Sequence, residues 1–282
     1  MRNKKRLEIT NTQKGCRRIL IGGIALVLMA LAARYEKVVA EHIVLKSGGK
    51  IKKTVRFALV SDLHSCYYGK NQSTLTRLID KEKVDAILLP GDIFDDKFSD
   101  DNSKIFIEQV ACKYPCYYVA GNHELWSGRS RETKNYLRSK GIVVLEGDFT
   151  TTFVKGNTID ICGVDDPMYM SMDEWRMQLD AADPKSSNYK ILLSHRPEKV
   201  DIYKEYDFDL VVAGHAHGGQ WRIPFTKYGV LAPDQGLFPE YVDGLYFLSN
   251  GTKMVVSRGL SRERMPLPRF FSSPEIVIID IE

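Results

Sequence analysis

Thirty residues separate Asp62 from Asp92, thirty more separate Asp92 from Asn122, and each closes an apolar run. The runs cover residues 55–60, 84–89 and 116–120, and they stop at Ser61-Asp62-Leu63-His64, Pro90-Gly91-Asp92 and Gly121-Asn122-His123-Glu124. Between them, residues 71–83 place Leu75, Leu78 and Ile79 at helical spacing, and residues 103–111 read as a second helix. Buried strand, polar cluster and helix in alternation constrain the chain to an α/β fold with a largely parallel core sheet. In such sheets functional groups gather beyond the carboxyl ends of the strands, where all three clusters fall.

The pattern continues downstream. Residues 131–140 and 173–183 read as helices, and residues 142–145, 151–154 and 158–162 as short strands. Residues 190–193 form a fourth buried strand ending in Ser194-His195-Arg196-Pro197, and residues 210–213 a fifth ending in Gly214-His215-Ala216-His217-Gly218-Gly219-Gln220. An edge strand is predicted around residues 42–45, and the tail segments 245–248, 254–257 and 276–281 are expected to supply the β-rich half of a second sheet.

Of six histidines, five (His64, His123, His195, His215 and His217) fall at these strand ends. Residues i and i+2 of an extended segment point the same way, so His215 and His217 can face a common region. With Asp62, Asp92 and Asn122 they make a nitrogen and oxygen ligand set without thiolate. Such a set suits manganese, iron, zinc or nickel; calcium takes more oxygens and structural zinc more sulfur. Seven or eight ligands exceed what one catalytic ion with an open position needs, and they suit two divalent ions sharing a carboxylate, with manganese weakly favoured.

Asp62-x-His64, Gly91-Asp92, Gly121-Asn122-His123-Glu124, His195 and Gly214-His215-x-His217, in that order, resemble the five-block signature of the calcineurin-like metallophosphoesterases. The resemblance covers roughly residues 55–282, and the tail from Val256-Ser257-Arg258-Gly259 to Ser273-Pro274-Glu275-Ile276 is similar to a bacterial membrane-anchored or exported branch. It implies a two-sheet β-sandwich flanked by helices on both faces, in four α/β/β/α layers. It also implies that Asp62, His64 and His217 bind one metal, that Asn122, His195 and His215 bind the other, and that Asp92 bridges them. The implied activity is hydrolysis of a phosphomonoester, phosphodiester or pyrophosphate through in-line attack by a hydroxide between the cations. His123 is implied as the catalytic histidine, contacting the phosphoryl group or protonating the leaving oxygen.

Glu124 is expected to orient His123, with a solvated loop acid as the alternative. Arg196 and Gln220 stand close enough in sequence to reach substrate, with surface salt-bridge or turn roles as the alternative. Trp126, Trp221 and Phe225 are candidates for an apolar rim or for packing. Cys112 and Cys116, with Pro115 between them, have a spacing that permits a disulfide without indicating one.

Residues 19–33 contain no charge, which is short for a full membrane span of roughly 20 residues but suits a signal-peptide core or a tilted signal-anchor helix. Arg2, Lys4, Lys5, Arg6, Lys14, Arg17 and Arg18 precede the run, so the positive-inside rule puts the N-terminus in the cytoplasm and the main domain outside. Arg17-Arg18 also resembles a twin-arginine export signal. The predicted division is a leader and anchor over residues 1–40 and a catalytic domain over residues 41–282. The net charge of +4 comes from the leader, so no domain face is strongly basic and nucleic acid is not the expected partner. The expected substrate is a phosphoester of the cell envelope, with lipid-linked compounds included. The alternative is a metal-binding interaction scaffold without chemistry, which would be expected to have lost ligands or His123; every position is filled.

Overall fold

The computed structural model describes residues 37–223, 226, 228–262 and 269–282, together with Leu20, Gly22 and Gly23. The rest of the expected anchor segment 19–33, most of the 1–40 leader, and Phe225 lie outside the described residues. Among the described residues no helix is long and apolar enough to cross a membrane.

In chain order the regular elements are β1 (Val39–Leu45), β2 (Val55–Leu59), α1 (Ser73–Glu82), β3 (Ala86–Pro90), α2 (Asp101–Ala111), β4 (Cys116–Val119), α3 (Asn122–Trp126), α4 (Ser130–Ser139) and β5 (Val143–Val144). They continue with β6 (Asp148–Val154), β7 (Asn157–Gly163), α5 (Met172–Ala182), β8 (Tyr189–Leu193), α6 (Val200–Tyr203) and β9 (Leu210–Ala213). The last strands are β10 (Leu231–Ala232), β11 (Gly236–Leu237), β12 (Gly244–Phe247), β13 (Lys253–Val256) and β14 (Glu275–Ile281).

Two six-stranded sheets form, ordered β1-β14-β2-β3-β4-β5 and β12-β13-β9-β8-β7-β6. Strands β2 to β5 run parallel in the first and β7, β8, β9 and β13 in the second. Antiparallel pairs at β14·β2, β6·β7 and β12·β13 make both sheets mixed, while the strands that carry the polar clusters pair in parallel as expected.

Period-two alternation sorts the strand side chains into three cores. Phe57, Leu59, Leu88 and Val119 meet Ile161, Ile191, Leu193 and Val212 between the sheets. Ala58, Val60, Ile87 and Leu89 face outward onto Leu75, Ile79, Phe106, Val110 and Leu137 of α1, α2 and α4. Cys162, Leu192, Val211 and Met254 pack onto Trp175, Leu179 and Tyr203 of α5 and α6. Both faces of the central strands are therefore covered, which is why they read as unbroken apolar runs.

The expected placement of residues 276–281 in the second sheet is wrong. This strand inserts in the first sheet between β1 and β2. Ile276 and Ile278 enter the helix-facing core while Val277, Ile279 and Ile281 enter the inter-sheet core. Asp280 stands opposite Arg56 of β2, and the pair is bidentate, with both nitrogen–oxygen distances 2.7 Å. The cysteines Cys112 and Cys116 are free, Cys112 exposed and Cys116 buried.

Candidate metal centre

The carboxyl ends of β2, β3, β4, β8 and β9 meet at one end of the sandwich, and their following loops bond to each other. The Asp62 amide donates to the Gly91 carbonyl, the His64 amide to the Asp92 carbonyl, and the Gly214 amide to the His195 carbonyl. The Asp62 carboxylate accepts the backbone N–H of His215 at 3.0 Å, linking the two sheets. Asp62, His64, Asp92, His215 and His217 all adopt positive φ, between 47° and 64°. Left-handed backbone at non-glycine residues costs of order 1 kcal/mol or more each, so the surrounding bonds must hold these turns against local preference.

Glycines make the close approach possible. A Cβ on Gly121 would stand 2.3 Å from Asp92 Oδ1, and one on Gly214 would stand 2.4 Å from Asp62 Oδ2. Alanine fits at neither position without displacing a buried carboxylate.

The seven expected ligands, Asp62, His64, Asp92, Asn122, His195, His215 and His217, are all buried here, with His123 beside them. Asp62, His64 and His217 can bring one donor atom each within 4.8 Å of one another, and so can Asp92, His195 and His215. Asp92 Oδ2 lies 3.1 Å from His195 Nε2 and 3.6 Å from His64 Nε2, so it reaches a member of each set. His123 Nε2 is 3.9 Å from the same oxygen. His64 stacks 5.5 Å from His217 and meets His123 edge-on at 4.6 Å, while His195 and His215 pair at 4.9 Å.

Five buried atoms here lack any hydrogen-bond partner: His64 Nε2, Asp92 Oδ2, Asn122 Oδ1, His195 Nε2 and His217 Nδ1. An orphaned buried polar group costs about 1–3 kcal/mol, so five together need an explanation. All five carry lone pairs in their metal-binding forms, and a cation is the partner that chemistry supplies. The donor set therefore fits divalent metal.

The buried charges of the cluster act strongly on one another. Burial opposes ionisation of Asp92, yet His195, His64 and His123 outweigh it and hold its carboxyl well below the usual range. Burial likewise opposes a charged His195, but Asp92 raises it to about 10. Burial and His64 push the His217 imidazole well below its ordinary value, leaving it neutral.

Second partners fix the imidazoles. His64 Nδ1 faces Asp95 Oδ2 at 3.1 Å, and His195 Nδ1 donates to the Pro90 carbonyl at 2.8 Å. His215 Nε2 meets Asp234 Oδ2 at 2.8 Å, and His123 Nδ1 meets Asp96 Oδ1 at 2.7 Å. Each bond commits one ring nitrogen and leaves the other for the centre. His64, Asp95 and His123 also cluster, but Asp95 already accepts from the Lys97 and Phe98 amides as well as facing His64.

The expected Glu124–His123 pairing is not present. Glu124 Oε2 accepts from the Asp92 and Gly121 amides and Oε1 from the Phe94 amide, each at 2.9 Å. Glu124 thus staples the β3 loop to the β4 loop, and Asp96 orients His123. Burial, then the Asp92 charge, push the Glu124 carboxyl up to about 7. Asp95, Asp96 and Asp234 were missed in the sequence. The acidic pair just after Gly91-Asp92 was a usable signal for the first two; nothing local marks Asp234.

Arg196 is buried rather than on the surface. It forks onto Asp166, bonds Asp234, and holds Nη1 3.0 Å from His215 Nε2. Gln220 is buried at a positive φ of 52°, and Trp126 is half-exposed with its ring 4.5 Å from His123.

A two-sheet sandwich with histidine, aspartate and asparagine donors converging at its strand ends is the framework of a candidate divalent-metal site. Residues 55–219 match the model for calcineurin-like phosphoesterases, and the chain belongs to that family. It is 32% identical over 82% of its length to an uncharacterised metallophosphoesterase of Campylobacter jejuni, spanning 60% of that protein. It is 29% identical, over 82% of its length and 79% of the other, to the uncharacterised metallophosphoesterase YkuE of Bacillus subtilis. In fold it is similar to the crystal structure of TT1561 of Thermus thermophilus, with a TM-score of 0.50 and 16% identity over 74% of this chain and 92% of that one.

Proposed function

We propose that this chain hydrolyses phosphoester bonds with two divalent cations, Asp62, His64 and His217 holding one and Asn122, His195 and His215 the other, with Asp92 between them. The observation that carries the reading is the set of five orphaned donor atoms at five of these seven residues. When bound, the cations supply charge neutralisation at the phosphoryl oxygens and a water nucleophile active near neutral pH.

The chain's own groups do the rest. Asp92 Oδ2 lies within reach of both histidine sets, and the Glu124 staple fixes the peptide that carries it. His123 gives its Nδ1 proton to a hydrogen bond with Asp96, so the second proton of the imidazolium sits on Nε2, toward Asp92 and the reacting group. Asp96 stabilises that imidazolium, and His123 Nε2–H protonates the departing oxygen. The burial of Asp92, His123 and Glu124 strengthens each of these interactions.

The charge-free segment 19–33 with seven basic residues before it supports membrane anchoring with the catalytic domain on the extracytoplasmic side. A phosphomonoester, diester or pyrophosphate of the cell envelope, including lipid-linked forms, is the substrate class that location favours. Purified protein with added manganese is expected to hydrolyse p-nitrophenyl phosphate or bis-p-nitrophenyl phosphate, and Asp92→Asn is expected to abolish this. A wild type that binds two metals and stays inert across a broad phosphoester panel would leave the scaffold reading.

A further inference from the structure

Strand β1 enters the fold at the metal-bearing end. It runs parallel to β14, the Val39 amide donates to the Pro274 carbonyl, and β14 runs antiparallel to β2. Val277 of β14 therefore stands opposite Leu59, three residues before Asp62. Six peptide steps separate residue 33, the end of the charge-free segment, from Val39. A chain extends at most ~3.5 Å per step, about 20 Å in all. If the segment lies in a bilayer, the end of the sandwich within that reach is the end that carries the metal centre.

The same end exposes large apolar side chains. Leu237 and Phe238 are 69% and 70% exposed, Tyr228 62% and Tyr169 69%. Tyr228, Leu237 and Phe238 belong to a ribbon that follows His217 and is bonded back to it: the Val230 amide donates to the Gly219 carbonyl and the Phe238 amide to the Val230 carbonyl. Half-exposed Phe271 joins the ribbon through its neighbour, since the Arg222 amide donates to the Phe270 carbonyl, and β14 begins four residues later. Tyr169 follows β7, whose carboxyl end lies beside that of β8. At the opposite end Phe153 and Phe247 are also exposed, but on β6 and β12, the two outermost strands of the second sheet.

Resting on the anchoring reading above, we propose that the metal-bearing end of the sandwich faces a lipid bilayer, with Tyr228, Leu237 and Phe238 seated in its interfacial layer. Two independent features meet there: the point where the tether enters and the gathering of aromatic and aliphatic side chains that favour the headgroup boundary. A phosphoester carried on a lipid headgroup would reach the centre without leaving the membrane. A soluble phosphoester would have to enter from the side.

Spin labels at Phe238→Cys, Tyr228→Cys and, as control, Phe153→Cys test this in the full chain, with Cys16→Ser and Cys112→Ser removing the leader and exposed thiols. The protein is reconstituted into phosphatidylethanolamine/phosphatidylglycerol vesicles, and label accessibility is measured to oxygen and to a water-soluble nickel chelate. The expected oxygen-to-nickel ratio is several-fold higher at 238 and 228 than at 153. Equal ratios in protein that floats with the vesicles overturn the proposal while leaving the anchor intact. Labels at 238 and 228 shielded from both reagents also overturn it, because they identify a protein partner as the occupant. Protein that does not float with the vesicles removes the anchoring reading and this proposal together, and leaves the phosphoesterase activity to be judged on its own assay.

Discussion

Asp96 Oδ1 and His123 Nδ1 lie 2.7 Å apart, so the imidazole facing the metal centre is oriented by the fourth residue after Asp92 and not by its own neighbour Glu124. Neutralising Asp96 leaves His123 in place but weakens its protonated form. Asp96→Asn is expected to lower kcat about 10–100-fold with metal content unchanged. The loss should be larger for alkyl phosphoesters than for p-nitrophenyl esters, whose leaving group departs without a proton. Equal losses on both would show that Asp96 does not act through leaving-group protonation.

His215 and His217 are separated by one residue yet cluster with different partners, His215 with Asp92 and His195, His217 with Asp62 and His64. Substituting either by alanine is expected to reduce bound metal from two ions toward one. Metal analysis with spectroscopic substitution by cobalt should show different sites emptied in the two variants. Retention of both ions in either variant would refute the assignment for that residue.

The Glu124 staple predicts a stability effect tied to loop geometry. In Glu124→Gln an amide NH₂ would face one of three backbone donors, leaving a buried N–H unpaired at a cost of about 1–3 kcal/mol. Thermal melts should fall, and metal titration should show weaker binding because the Asp92 peptide is less well held. An unchanged melt with unchanged metal affinity would exclude the staple role.

The Arg56–Asp280 pair makes a pH prediction away from the centre. The hydrogen bond from Arg56 lowers the Asp280 carboxyl below its ordinary value of 3.8, against a smaller opposing effect of burial. A depressed folded-state value gives stability present above the unfolded value and lost as pH falls through the folded one. Arg56 is partly exposed, so the pair is worth only about 1 kcal/mol. Asp280→Asn should therefore be less stable than wild type by about that amount at pH 7, and the two denaturation midpoints should converge in acid below pH 3.8. A difference that persists there would assign the effect to packing.

The positions of the strands, the helices between them and the seven candidate ligands were legible because each rests on local pattern. Unbroken apolar runs report strands covered on both faces, as at Ala86–Pro90 and Leu210–Ala213. The site residues stood at the ends of those runs, and the regular spacing of Asp62, Asp92 and Asn122 reflects one repeated strand and helix unit.

What local pattern could not carry was partnership at long range. Residues 276–281 read as a strand, but only pairing with Arg56 and Val55, more than two hundred positions away, assigns it to the first sheet. Asp234 meets His215 because the ribbon after His217 folds back. Asp96 orients His123 in place of the expected Glu124, whose carboxylate is drawn to three backbone amides of two converging loops. The sequence by itself determined the elements, the donors and their order. The tertiary structure alone decided which donors cluster together, which carboxylate orients which imidazole, and that the start of β1 and the exposed apolar loops stand at the same end as that cluster. The reason is physical: residue type and periodicity act between neighbours, while hydrogen bonds and burial act between whatever the sheets bring together.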